Sequence, residues 1–358
     1  MFLTVFFINF FVLKSQDPET IIDRVAQHWL LLHNHFKNAA DVWGNYTLDL
    51  TFEALLYSDH YRKKNSYTPL VLEVFKKRHI EPEDTIPFET QPFCSINFML
   101  GECTGNPHWF TGYIHETCRM RGKAIKSAEG AVMINHEGKT RILIDYLQEY
   151  ASRLSKTGYL THDTTLFVES VNQFLIYEKI LRDETTGLWR QGRGWCSDST
   201  LLSEGAWSRG HGWLLRGIVT SMLYMPEGQR SVLLPLLKRI SASLIKVQAK
   251  SGMYHILLNL PEDKSVPDVS GTGMIAFYMS LAIKEGWLEE EIFKPTVLRA
   301  TQAIRKYVTG QGEVLSSCKG PGPLCTGDEY RHYKPAIDEA HGCQAVIYGM
   351  IAEMMMNE

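Results

Sequence analysis

The chain has 358 residues, 44% of them hydrophobic and 22% charged, with a net charge of −3. This is the composition of an ordinary soluble globular protein, and it leaves no stretch polar enough for a long disordered tail. No Lys/Arg block supplies the phosphate-neutralising stripe that a nucleic-acid partner needs, so a small uncharged or acidic ligand is the class left open.

Met1 to Leu13 form an apolar run too short to span a bilayer, ending at Lys14-Ser-Gln. It has the look of a secretion-signal core, although no basic residue precedes it and no small-x-small cleavage site follows. Residues 1–16 are therefore read as a signal, which makes the protein secreted or periplasmic; without a signal it would be cytoplasmic. No stable membrane insertion is expected. The seven cysteines are odd in number and form no CxxC pair, so neither a zinc site nor a complete disulfide framework is indicated. Cys318 and Cys325 bracket a Gly/Pro loop, where two free thiols are expected and a mutual disulfide is the alternative.

From there to the C-terminus the pattern is helical. Phe167, Val171, Phe174 and Leu181, for example, fall at i, i+4, i+7 and i+14 on one face. Twelve helices are predicted, near 20–36, 46–58, 67–79, 92–103, 107–121, 142–155, 161–183, 208–224, 228–249, 269–286, 289–308 and 338–356. Short Gly, Asn or Pro punctuation separates many of them, and short links force antiparallel neighbours. Residues 17–358 are accordingly expected to form one all-α domain, six helical hairpins closed into a double ring; two stacked helical domains are the rival. The longer loops, 122–141, 184–207, 250–268 and 309–337, would gather around a central funnel.

Trp207-Ser-Arg-Gly-His-Gly-Trp213 opens an apolar helical run with two indoles and a guanidinium. Indoles stack on sugar faces and guanidinium grips carboxylates in a fork, which suits a sugar acid; a helix start with two core tryptophans is the plainer account. Asp145, in Arg141-Ile-Leu-Ile-Asp-Tyr-Leu, is a carboxylate embedded among apolar residues, and burial would raise its pKa towards the range of a general acid or base. A solvent-facing first-turn aspartate is the alternative. Glu89 is a second acid in an apolar setting, and His136 lies in a glycine-bounded loop nine residues before Asp145. Asp338-Glu-Ala-His341-Gly opens the last helix, where His341 is a candidate substrate-binding residue; an N-cap aspartate with a surface histidine is the plainer account.

These pieces together resemble the unsaturated glucuronyl and rhamnogalacturonyl hydrolases, glycoside hydrolase families 88 and 105. The resemblance runs from about residue 20 to the end and is patchy before residue 85. It rests on Trp207, Arg209, Gly210 and Trp213; on Ile142-Leu-Ile-Asp-Tyr-Leu-Gln148 through a Thr157-Gly158 turn; on Asp183-Glu-Thr-Thr-Gly-Leu188; on Asp268-Val-Ser-Gly-Thr-Gly-Met274 with Glu285-Gly-Trp-Leu288; and on Asp338-Glu-Ala-His-Gly342.

The resemblance implies an (α/α)6 barrel in which one aspartate, here Asp145, acts as both acid and base. The implied substrate is an oligosaccharide left by a polysaccharide lyase, ending in a 4,5-unsaturated uronic acid. C4 is protonated, water adds at C5, and the product rearranges to expel the next sugar, so the two-carboxylate scheme of ordinary glycosidases is not required. Glu89 takes the place of a second acid that is usually aspartate, and His136 that of a loop histidine. Arg209 is assigned to the uronate carboxylate, Trp207 and Trp213 to the sugar platform, and Trp43 to an aromatic rim. Gln191 stands where many members have histidine, and it can hydrogen-bond but not carry a proton. Tyr146, Gln148 and Asp268 are further departures. With no phosphate-cradling loop, metal cluster or dinucleotide fingerprint, no cofactor and no metal are expected. An inverting glycosidase or epimerase on the same fold, or a non-catalytic sugar-binding relative, are the alternatives.

Overall fold

The computed structural model describes residues 16–33, 46–86 and 95–358. Trp43 and Glu89 lie outside the described residues. Among the described residues twelve helices of nine or more residues run in chain order: α1 (Pro18–Leu32), α2 (Tyr46–Arg62), α3 (Thr68–Lys77), α4 (Ile96–Thr104), α5 (His108–Lys123), α6 (Ile144–Thr161), α7 (Thr164–Leu181), α8 (Ser208–Tyr224), α9 (Glu227–Val247), α10 (Val269–Lys284), α11 (Glu290–Ile304) and α12 (Ala340–Asn357). A one-turn helix, Gly327–Arg331, sits in the last long loop.

Burial sorts the twelve into two rings. Along α6, α8, α10 and α12 the turns are buried all round, whereas α7, α9 and α11 alternate buried and exposed positions. A helix buried on every face belongs inside a shell of amphipathic ones. The even-numbered helices therefore form the inner ring of an (α/α)6 barrel and the odd-numbered ones its outer ring. Inner neighbours pack in the order α4, α2, α12, α10, α8, α6, and between α6 and α4 the Lys156 ammonium lies over the Phe98 ring at 4.4 Å.

The inner helices run side by side in the same direction. Gly210 of α8 faces Ile144 of α6, Gly217 faces Gln148 further along both helices, and Gly271 of α10 faces Ser208. At Gly217 a Cβ would lie 2.8 Å from the Gln148 Cα, so only glycine lets the two backbones approach this closely. All the inner N-termini consequently open at one end of the barrel, where their partial positive charges converge.

The sequence reading needs correction in three places. Residues 122–141, expected to be loop, contain β1 (Ile125–Lys126), β2 (Val132–His136) and β3 (Lys139–Leu143), which with β4 (Gly192–Arg193) form an antiparallel sheet in the order β1-β2-β3-β4. Ile134 pairs with Arg141 and His136 with Lys139 across a Glu137-Gly138 turn, both turn residues having positive φ, as a tight hairpin requires. Five-residue strands are too short to outweigh the surrounding helical periodicity. Next, Thr157-Gly158 does not end its helix; α6 continues to Thr161, and Gly158 lies against Phe167. Finally, the cap of α12 is Glu339, not Asp338, whose carboxylate instead accepts from Val314 N–H at 2.8 Å.

Candidate active site

β3 leads directly into α6, so Leu143 caps the helix in extended backbone and Asp145 enters the first turn at the mouth of the inner ring. Its residue is 9% exposed and its Oδ1 is buried with no hydrogen-bond partner among the described residues. Burial disfavours the anion and raises the pKa to about 7, against the opposing pull of the Arg209 cation and of its own backbone N–H.

Arg209, in the first turn of α8, is 1% exposed. Its Nη1 donates to Ser270 Oγ at 2.9 Å and to the Cys318 carbonyl, and its guanidinium lies 4.5 Å from the Trp207 ring centroid. Nε is buried without a partner among the described residues. The guanidinium is thus anchored to protein through Nη1.

Asp268 and Glu339 build the rest of the mouth. Asp268 caps α10: Oδ1 accepts from Ser270 N–H at 3.0 Å, Ser270 Oγ at 2.6 Å and Cys318 N–H at 3.1 Å, while Oδ2 accepts from Ser208 Oγ at 2.9 Å and Gly271 N–H at 3.1 Å. Glu339 caps α12, accepting from Ser317 Oγ at 3.0 Å and His341 Nδ1 at 2.7 Å. It remains ionised: although burial opposes the anion, the bonds from His341 and Ser317 and the Arg209 charge hold it below the usual carboxylate range. His341 is not a surface residue. It is 2% exposed, with ring centroids of Tyr46 at 5.8 Å and Trp213 at 6.3 Å. Burial and then the Arg209 cation lower its proton affinity, with Glu339 pulling the other way.

Other expected site residues take different positions. Trp207 and Trp213 are 2% and 1% exposed, so neither presents an open stacking face. Trp207 packs with Ile256, Leu257, Cys318 and Tyr330 beneath the Arg209 guanidinium, and Trp213 stands edge-on to His341. Gln191 has both ends of its amide engaged: Nε2 donates to the Pro321 carbonyl at 2.8 Å and Oε1 accepts from the Tyr330 hydroxyl at 2.5 Å. It therefore anchors the 318–337 loop. His136 sits at the exposed tip of the β2-β3 hairpin, near Trp195 and Arg141. The four strand steps from its partner Lys139 to Leu143 set His136 roughly 13 Å back from the start of α6 at strand rise.

Sequence reasoning missed Tyr330, whose phenol, raised to about 12 by burial, also feels the Asp145 charge. It missed the structural work of Asp268 and Glu339 as well, although Asp-x-Ser ahead of an apolar run signals a helix cap. Neither the expected pair of free thiols nor the Cys318–Cys325 alternative holds. Cys325 is disulfide-bonded to Cys196, 129 residues away, and Cys318 is a free buried thiol. Among the described residues no group of three or more His, Cys, Asp or Glu gathers as a metal-ligand set, and no helix is long and apolar enough to cross a membrane.

Residues 21–357 match the family model of Glycosyl Hydrolase Family 88. Over 118 residues the chain is 33% identical to an unsaturated 3S-rhamnoglycuronyl hydrolase of Alteromonas sp. (strain LOR), a match covering 32% of this chain and 29% of that protein. A family 105 glycoside hydrolase of C. acetobutylicum ATCC 824 superposes with a TM-score of 0.78 at 20% identity, covering 93% of this chain and 99% of the other. A possible member of the GH105 family from Salmonella enterica superposes with a TM-score of 0.78 at 22% identity, covering 95% and 94%. At these identities the superpositions establish the fold.

Proposed function

Because the chain belongs to glycosyl hydrolase family 88, we propose that it removes a 4,5-unsaturated uronic acid from the non-reducing end of lyase-generated oligosaccharides. The observation that carries this reading is Asp145, a buried carboxyl at the ring mouth with its pKa raised to about 7 beside the Arg209 cation. Near neutrality such a group exists in both protonation states, as a residue that must give and then take a proton requires.

Protonated Asp145 donates to C4, and the alkene electrons form the new C–H bond. The charge developing at C5 is shared with the ring oxygen, and water attacks C5 as its proton passes to the Asp145 carboxylate. The resulting hemiketal opens and releases the next sugar. The Arg209 guanidinium holds the uronate carboxylate, aided by the converging helix N-termini. With Nδ1–H donating to Glu339, His341 leaves Nε2 to accept from a sugar hydroxyl. Asp268 and Glu339 are committed as helix caps, which favours one working carboxyl over the two-acid scheme of an inverting glycosidase.

The Cys196–Cys325 disulfide supports export, since such bonds persist in oxidising compartments. The Alteromonas relative's name makes rhamnose-linked unsaturated uronates the first substrates to try. The test is incubation with a panel of lyase digests while following the ultraviolet absorbance of the conjugated uronate. Its disappearance with release of a saturated oligosaccharide supports the reading; binding without turnover across the panel refutes it.

A further inference from the structure

Beneath the mouth, the wall of the inner ring carries polar atoms that the fold leaves without partners. Gln148 lies one turn below Asp145 on α6, is 0% exposed, and has neither Nε2 nor Oε1 hydrogen-bonded among the described residues. Asp145 Oδ1 is in the same condition. At the same level, Arg216 on α8 pairs through Nη2 with Glu53 Oε1 at 2.9 Å, while its Nη1, Glu53 Oε2 and the Tyr278 hydroxyl make no bond to a described residue. A buried amide with both ends unsatisfied is destabilising, so polar groups of this kind are normally bridged by ordered water. Gln148 is also the residue whose Cα meets Gly217, which places it at the seam between α6 and α8, with Arg209 above it and Arg216 level with it.

We propose that Gln148 is a positioning residue that, with Asp145 Oδ1, holds the water molecule added to the substrate. Residues at i and i+3 on a helix have Cβ atoms about 5–6 Å apart, a span that one water with two ordinary hydrogen bonds bridges. A sugar seated on Arg209 closes the mouth from the solvent side. The water consumed in each turnover is then drawn from the polar groups around Gln148, which include Arg216, Glu53 and Tyr278. The step balances: the Asp145 proton forms the C4–H bond, the water oxygen forms the C5–O bond, and the second water proton restores the Asp145 acid. No co-reactant other than water is needed.

This inference rests on the hydrolase reading, and its test separates the two. In Gln148→Met, which keeps the side-chain length and removes both hydrogen-bonding ends, kcat on an unsaturated oligosaccharide is expected to fall at least tenfold while KM stays within twofold. A crystal structure of the full chain should show an ordered water within hydrogen-bond distance of both Asp145 Oδ1 and the Gln148 amide. A folded Gln148→Met protein with kcat within twofold of the parent overturns the proposal, and so does a well-resolved parent structure without that water. If the variant does not fold, the parent structure decides. A parent protein inactive on every unsaturated uronate refutes the hydrolase reading itself, and the bridging water then still reports whether Gln148 binds one.

Discussion

The Tyr330 hydroxyl donates to Gln191 Oε1 at 2.5 Å, while the Gln191 backbone carbonyl accepts from the N–H of Ile144 at 3.0 Å, the residue before Asp145. Two segments 139 residues apart in sequence thus meet directly at the start of the helix that carries the proposed acid. The 318–337 loop that delivers Tyr330 also supplies the Cys318 carbonyl to Arg209 and Cys325 to the disulfide. Acid, cation and loop form one mechanical unit.

Asp145→Asn should lower kcat on an unsaturated oligosaccharide by on the order of 10²- to 10⁴-fold, the usual contribution of a positioned acid or base. In the parent protein, kcat/KM should decline as pH rises through about 7, because the free enzyme then loses the proton destined for C4. Initial rates from pH 4 to 9 check this, and a rate that stays flat to pH 9 would remove Asp145 as the acid.

The same shift has a stability consequence of definite sign. The folded pKa lies above the unfolded value of 3.8, so between about pH 4 and 7 the native state holds a proton the unfolded chain has released, and stability falls as pH rises. Three pKa units correspond to at most about 4 kcal/mol. Asp145→Asn should therefore be more stable than the parent at pH 8, with the difference vanishing near pH 4. Urea unfolding at the two pH values measures it.

Arg209→Lys keeps the charge but loses the fork. KM for unsaturated uronates should rise and kcat/KM fall about 10- to 100-fold, the worth of one or two charge-assisted hydrogen bonds. In Arg209→Met the cation that holds down the proton affinity of Asp145 is absent, so the alkaline limb of any residual activity should move to higher pH. Parallel pH–rate profiles of the two variants distinguish loss of grip from loss of field.

Cys196→Ser should cost about 2–4 kcal/mol, because the bond closes a long loop and fixes the 318–337 segment. Reductant should lower the melting temperature of the parent and leave that of the variant unchanged. Equal sensitivity of both proteins would mean the bond does not form.

Asp268→Ala removes a carboxylate that accepts five hydrogen bonds at the start of α10. A loss of roughly 2–4 kcal/mol is expected, more than for an exposed helix cap, because buried donors on Ser208 and Cys318 are left unsatisfied. Calorimetry or denaturant titration tests it.

The order of the longer helices and their closure into a double ring were legible in the sequence because helical periodicity is local, and hydrophobic residues 3.6 apart report burial without knowing the partner. α8 falls at Ser208–Tyr224 as predicted, its start marked by Trp207 and its end by the break before Pro226. The elevated proton affinity of Asp145 followed from its apolar neighbours in the chain. What the sequence could not decide depends on groups brought together from far apart. Cys196 chooses Cys325, Gln191 spends both ends of its amide on a distant loop, the two indoles become wall instead of platform, and His136 is carried outward by a hairpin. Hydrogen-bond partners and solvent exposure are settled by packing across the ring, and no pattern of local spacing encodes which of many polar groups will find one another there.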